Sequence, residues 1–269
     1  MQMKKKPIAS TIFMVLVLVM MYLPIGMVAL YSFNANPARN AVEFTGFTLQ
    51  WYADLFADTR GFGLALWESV RLALYSCLLA GIIGTLGAIG MVQKQLYGRT
   101  GLIARMAQGL TTLPIMIPEI ILGIALMALF YATDLPLGMP ALVISHTTFC
   151  IPYIFIVVKG RLAGMDPALT EAARDLGATP RQALWDITLP LIRPGIVSGL
   201  FLALAMSLDD FIISFFVTSP EVTPLPLKIY SSVKTGISPQ VNALCTLMLA
   251  AVFVAVGISQ VVSRKKLNP

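Results

Sequence analysis

The stretch EAARDLGATPRQALWDITLP, Glu171 to Pro190, is a polar insertion marked by helix-capping residues in a chain that is otherwise mostly apolar. A loop that only reconnects two membrane helices needs a few turn residues. This one is predicted to build two short helices on the water side and to hold them at a fixed angle. Asp166 and Pro167 supply an N-cap and a proline at the first helical position, and the helix ALTEAARDL runs to Gly177, which suits the left-handed position that ends a helix. Thr179 and Pro180 start a second helix, with Gln182 completing a capping box and Leu184, Ile187 and Leu189 forming an apolar face. Pro190 and Pro194 are expected to turn the chain back toward the membrane. In the first helix Leu169, Ala172, Ala173 and Leu176 make a stripe beside Glu171, Arg174 and Asp175. Two readings fit: a surface that a partner approaches closely and the charges orient, or a solvated connector lying on lipid headgroups.

Composition sets the context. The chain has 269 residues, 57% of them hydrophobic and 12% charged, with a mean hydropathy of +0.82. A soluble domain carries about a quarter of its residues charged, so the chain reads as an all-α polytopic membrane protein. The net charge of +6 does not signal nucleic acid, because the lysines and arginines sit at the ends of apolar runs. Cys77, Cys150 and Cys245 all lie inside apolar segments without metal-ligand spacing, which argues against zinc or redox chemistry.

A bilayer core needs ~20 apolar residues per helix. Six transmembrane helices are expected, at residues 8–31, 70–92, 106–131, 141–158, 195–217 and 241–262, with a polar loop at 159–194. The first follows Lys4, Lys5 and Lys6 but is too long, and too poor in a small-residue cleavage site, for a signal peptide. With the N-terminus inside, one side collects Lys4, Lys5 and Lys6; Lys94, Arg99 and Arg105; Lys159, Arg161, Arg174, Arg181 and Arg193; and Arg264, Lys265 and Lys266. The other keeps Arg39, Arg60, Arg71, Lys228 and Lys234. The bias holds at every crossing and places both termini and the Glu171 loop in the cytoplasm.

Two outer loops carry more than turns. Residues 32–66 contain FTLQWYADLF, whose Trp51, Tyr52, Leu55 and Phe56 suit a membrane interface. Residues 218–240 are rich in proline and polar groups. A re-entrant or lid-like segment and a plain surface loop both fit them.

Three carboxylates fall inside the predicted spans: Glu119 in the third, Asp209 and Asp210 in the fifth. An unpaired charge there costs on the order of 3 kcal/mol, so each is expected to face a polar cavity or a partner. At ~1.5 Å rise per residue Glu119 lies roughly 15–20 Å, and Asp209 roughly 20 Å, from the cytoplasmic end of its helix. The two depths are compatible with one cavity. Internal cations are few, little beyond Arg71 and the lone His146. A cationic ligand would complete the site, and Phe211, Phe215, Phe216 and Tyr230 are available for cation–π contact with an amine. The bland alternatives are pairing across a subunit interface or protonation. Pro114 and Pro118 are expected to break the helix around Glu119. His146 reads as a packed, hydrogen-bonded residue rather than a ligand.

Two other function classes are weaker. A membrane enzyme holding Mg²⁺ on Asp209 and Asp210 needs further acids at i+3 or i+4, and FIISFF after Asp210 supplies none. An ion-coupled carrier is disfavoured by six helices without an internal repeat.

At these residues the chain resembles a known family. Glu171, Ala172, Ala173, Gly177, Ile187, Leu189 and Pro190 match, without a gap, the EAA motif of ABC importer permeases of the type I fold. The resemblance implies that Glu171, Ala172, Ala173 and Gly177 lie on a coupling helix seated in an ATP-binding subunit, expected in two copies. The chain has no Gly-Lys dipeptide, hence no phosphate-binding loop. No cofactor is therefore expected in it, and ATP with Mg²⁺ would be bound by the partner. The segments ALAMSLDDFIISFFVTSP and LPLKIYSSVKTGISPQVNAL resemble permeases of spermidine/putrescine importers. By that resemblance Asp209, Asp210, Glu119 and Tyr230 line a polyamine path, although close relatives can hold Asp at the Glu119 position. The resemblance also implies a second, different permease, an extracytoplasmic polyamine-binding protein, alternating access and a bacterial inner-membrane location.

Overall fold

A computed structural model describes residues 8–39, 43–96 and 102–267. Lys4, Lys5, Lys6 and Arg99, which contribute to the predicted orientation, lie outside them. The helices are α1 (Ile8–Tyr31), α2 (Gln50–Phe56), α3 (Phe62–Leu96), α4 (Leu102–Met116), α5 (Glu119–Ala132), α6 (Met139–Ala163), α7 (Pro167–Asp175), α8 (Pro180–Gln182), α9 (Leu189–Asp209), α10 (Ile212–Val217), α11 (Leu225–Lys234) and α12 (Pro239–Leu267), with a π-helical segment at Ala183–Thr188. Among the described residues β-pairing is confined to two isolated bridges, Asn34 with Phe47 and Ser219 with Val222.

Four of these helical runs are long and apolar enough to cross a membrane: Ser10–Tyr31, Phe62–Val92, Met139–Ala163 and Pro180–Asp209. A bent pair, Gly109–Met116 and Glu119–Ala132, makes a fifth if counted as one span, and Pro239–Val254 is a shorter apolar helix. The chain is thus a multi-pass membrane protein.

It folds as two compact units, Met1–Leu64 with Lys228–Pro269, and Ala65–Leu227. In the first, α12 packs against both α1 and α2. From Ser10 to Met27 every side chain of α1 is exposed, which fits a helix surrounded by lipid or by another subunit. The chain after α1 is organised by Asn34, which is 1% exposed. Its side-chain amide donates to the Glu43 carbonyl at 2.9 Å and its oxygen accepts from Thr45 N at 3.0 Å. Trp51 Nε1 donates to the Asn34 carbonyl at 2.7 Å, and the Tyr52 and Ser32 hydroxyls meet at 2.7 Å. The aromatic polar atoms of α2 are therefore spent on bracing this loop. Residues 218–240 contain the regular helix α11.

In the second unit α6 is the central helix. Phe149, Cys150, Ile154, Phe155 and Val158 are its buried face, packed with Leu72, Cys77 and Ala80 of α3 and Ile192 and Ala203 of α9. The helices here are held by close packing rather than by a hydrophobic driving force, since lipid is as apolar as leucine.

Two expected spans are broken. In the third, α4 and α5 meet at a bend of 112°. Pro118 cannot donate a backbone bond, its own ψ is 129°, and Ile117 before it is pushed out of helical geometry. A straight-helix ruler therefore fails for the depth of Glu119. In the fifth, α9 ends at Asp209, Asp210 turns extended with ψ 121°, and α10 starts at Ile212.

A third correction concerns the loop at 159–194. The second helix after Gly177 is not separate, and Pro190 and Pro194 do not turn the chain. Pro180–Asp209 is one 30-residue helical run, about 45 Å long. The π segment is what admits Pro190. Leu189 N donates to Leu184 O, five residues back, so the ladder has already shifted where a proline would otherwise break it.

Candidate functional site

Both helix breaks carry acids, and the two elements beyond them pack together. Glu119 is the first residue of α5, and α5 lies against α10. Their approach is close at Gly123. A Cβ there would stand 2.8 Å from Phe216 Cδ2 and 3.5 Å from Ile213 Cα. This contact brings Glu119 near the second break, and the fields of Asp210 and Asp209 both reach it.

The three carboxylates are in different situations. Asp210 is 7% exposed and fully engaged. Its Oδ1 accepts from Ile213 N at 3.2 Å, and its Oδ2 accepts from Ser214 N and Ser214 Oγ, each at 2.9 Å. It thus serves the free amide groups of the first turn of α10. His146, on α6 and 0% exposed, closes the arrangement. Its Nε2 lies 3.3 Å from Asp210 Oδ2 and 3.0 Å from Ser214 Oγ, while its Nδ1 lies 2.8 Å from Ser207 Oγ. With the proton on Nε2, the ring donates toward Asp210 and Ser214 and accepts from Ser207.

Asp209 is exposed and makes neither hydrogen bond nor ion pair among the described residues. Glu119 is half-buried and also lacks both. Arg71, the other cation considered for these acids, is paired with Glu68 at 3.3 Å. Tyr153 of α6 is half-buried, stands edge-on to Phe149 at 5.2 Å, and lies within the field of Glu119. Phe215 is half-exposed at 51% and packs with Phe211 at 5.7 Å and Phe216 at 5.4 Å. The second unit therefore gathers Glu119, Asp209 and Asp210 with an aromatic margin. Tyr230 belongs to the first unit, on α11, where it is 47% exposed.

Sequence reasoning did not single out Ser207, Ser214 or Tyr153. The signal for the serines was present: they stand three residues before and four after Asp210, on the same side of an apolar run.

The second candidate site is the loop around α7. Asp166 accepts from Ala168 N at 3.0 Å, capping the helix. At its end Gly177 adopts φ +91. Gly177 N donates to Arg174 O at 2.9 Å and Ala178 N to Ala173 O at 3.0 Å, the paired bonds of a Schellman ending. Thr179 and Gln182 form the reciprocal capping box, with Thr179 N donating to Gln182 Oε1 at 2.8 Å. Between the two caps runs a groove lined by Glu171, Arg174, Asp175, Gly177, Ala178 and Thr179. No residue of α7 is buried. Leu176 is 90% and Trp185 57% exposed, an apolar excess on a polar loop.

Similarity to known proteins identifies the family. The spermidine/putrescine transport system permease protein PotC of Escherichia coli strain K12 is 37% identical over 254 residues, spanning 94% of this chain and 93% of that one. The putrescine transport system permease protein PotI of the same organism is 37% identical over 238 residues, 86% of this chain and 82% of its own. Among solved structures, a bacterial ABC transporter involved in the import of the acidic polysaccharide alginate matches with a TM-score of 0.70 at 14% identity, covering 96% of this chain and 95% of that one. Residues 84–268 match the family described as binding-protein-dependent transport system inner membrane component, and to that family the chain belongs.

Proposed function

We propose that the chain is a permease subunit of an ATP-driven importer that carries polyamines, putrescine or spermidine or both, across the bacterial cytoplasmic membrane by alternating access. The observation that supports this most directly is the acid cluster. Three carboxylates meet at two helix breaks, the neighbouring imidazole is committed to Asp210, and among the described residues Asp209 and Glu119 have no cation paired with them. In a membrane such a site is completed by a cationic ligand. The names of the 37%-identical relatives point to the same cargo. Asp209 and Glu119 hold the amines, and Asp210 shapes the path.

Six spans with both termini in the cytoplasm follow from the basic-residue bias. On this topology the α7 groove is cytoplasmic and receives one of two ATP-binding subunits through Glu171, Ala172, Ala173 and Gly177. ATP with Mg²⁺ is bound there and not in this chain. The continuous run from Pro180 to Asp209 then carries motion of the docked loop directly to the acid cluster. A second permease completes the pathway, and an extracytoplasmic binding protein delivers the cargo.

The test is uptake of labelled putrescine and spermidine by the assembled importer in cells without other polyamine uptake. Asp209→Asn is expected to lower the rate at least tenfold with the protein still in the membrane. Parental rates for both cargoes in that variant would remove Asp209 from the path. A parental importer that moves another small organic cation and no polyamine would make that solute the cargo.

A further inference from the structure

The imidazole of His146 touches both sides of the α9–α10 break. Its Nδ1 is 2.8 Å from Ser207 Oγ, on α9, and its Nε2 is 3.0 Å from Ser214 Oγ, on α10. The same Nε2 is 3.3 Å from Asp210 Oδ2. One ring from a third helix therefore bridges two elements that share no continuous backbone ladder. Adjacent acids at such a break do not have equivalent fates. Asp210, tied to Ile213 N, Ser214 N, Ser214 Oγ and His146, is turned inward. Asp209, the last residue of α9, is thereby left facing out.

We propose that His146 is a positioning residue for transport: it pins α9 and α10 across their break, commits Asp210 to the fold, and so fixes Asp209 as the carboxylate presented to the cargo. The physical need is plain. A half-helix of six residues, Ile212–Val217, is too short to hold its own direction, and its join to α9, beside Asp209, has no continuous backbone ladder to fix it. Hydrogen bonds at both ring nitrogens remove that freedom. This role rests on the transport reading for its consequence and on geometry alone for its existence.

The test uses the assembled importer and two readouts. In the first, labelled putrescine uptake at saturating cargo is normalised to the amount of complex in the membrane. His146→Leu and Asp209→Asn are each expected to lose about tenfold. Their double variant is expected to lose about tenfold as well, since both changes abolish the same contact. His146→Gln, whose amide can still donate near the Nε2 position, is expected to recover part of the rate. Losses that multiply to about a hundredfold, or a His146→Leu importer with the parental rate, overturn the proposal. The second readout needs no cargo. With Cys77→Ala, Cys150→Ala, Cys245→Ala and Asp209→Cys in place, the rate of labelling by a water-soluble maleimide reports how position 209 is presented. Adding His146→Leu is expected to change that rate at least threefold, and an unchanged rate overturns the clamp. An importer that moves no polyamine yet shows the labelling change keeps the clamp and loses the transport reading.

Discussion

Asp210 Oδ2 and His146 Nε2 stand 3.3 Å apart with both side chains 1% exposed, so the second of two neighbouring aspartates is sealed inside the protein while the first, Asp209, is open. The difference follows from hydrogen bonding. Two amide N–H groups at the root of α10 have no helical partner, and a buried donor left unpaired costs about 1–3 kcal/mol. Asp210 takes both of them. Asp210→Ala should therefore destabilise the protein by about 2–4 kcal/mol, because two donors and the His146 ring lose one acceptor together. Asp210→Asn keeps an acceptor oxygen and should lose less than half as much. Thermal unfolding of the purified complex in detergent orders the two variants, and equal losses would deny the capping role.

The α5–α10 contact is a second point of leverage. With 2.8 Å between a new Cβ at Gly123 and Phe216 Cδ2, Gly123→Ala must displace the Phe216 ring, which is itself packed at 5.4 Å against Phe215. Overpacking of this kind costs about 1–3 kcal/mol. It also shifts Glu119, four residues earlier on the same helix. Uptake should fall severalfold in Gly123→Ala and return in part in Gly123→Ala with Phe216→Leu. Lack of rescue would place the defect elsewhere.

Gly177 isolates a backbone effect. Among the described residues, none beyond its chain neighbours comes within 4 Å of a Cβ added there, and its φ is +91, so Gly177→Ala changes conformation without a clash. The left-handed region costs a residue with a Cβ about 1 kcal/mol, enough to loosen the angle between α7 and α8. ATP hydrolysis by the assembled importer should become less dependent on cargo, while the level in the membrane stays normal. Gly177→Asn should be milder, since asparagine tolerates this geometry.

The local features of the loop were legible in the sequence because caps act within four residues. Asp166, Gly177 and the Thr179–Gln182 pair all do what their spacing announced. Family membership was legible from the ungapped spacing of the EAA motif from Glu171 to Pro190. The breaks were less so. Pro118 gave notice of one, but the break at Asp210 is made by an acid in an apolar run, and His146, which meets it at 3.3 Å, comes from a distant part of the chain. Pro190 misled in the other direction. A proline normally stops a helix, yet the π segment from Ala183 to Thr188 lets the ladder step around it. The Asp210–His146 contact is long-range and the π segment is a local shift of the ladder, and the apolar periodicity carries no trace of either.

Exposure of α7 supplies the last expectation. Glu171 is exposed and Leu176 is 90% exposed, and neither side chain is part of the buried core. Changes at such positions usually alter stability by less than about 0.5 kcal/mol. A loop that merely lay on headgroups would tolerate Glu171→Lys, since added positive charge favours an anionic surface. A loop seated in a protein cleft would not, because charge reversal at a desolvated contact costs several kcal/mol. Glu171→Lys and Leu176→Asp should therefore leave the permease in the membrane with unchanged thermal stability, and abolish both co-purification of the ATP-binding subunit and uptake. Retained co-purification with normal uptake in both variants would favour the headgroup reading and detach α7 from energy coupling.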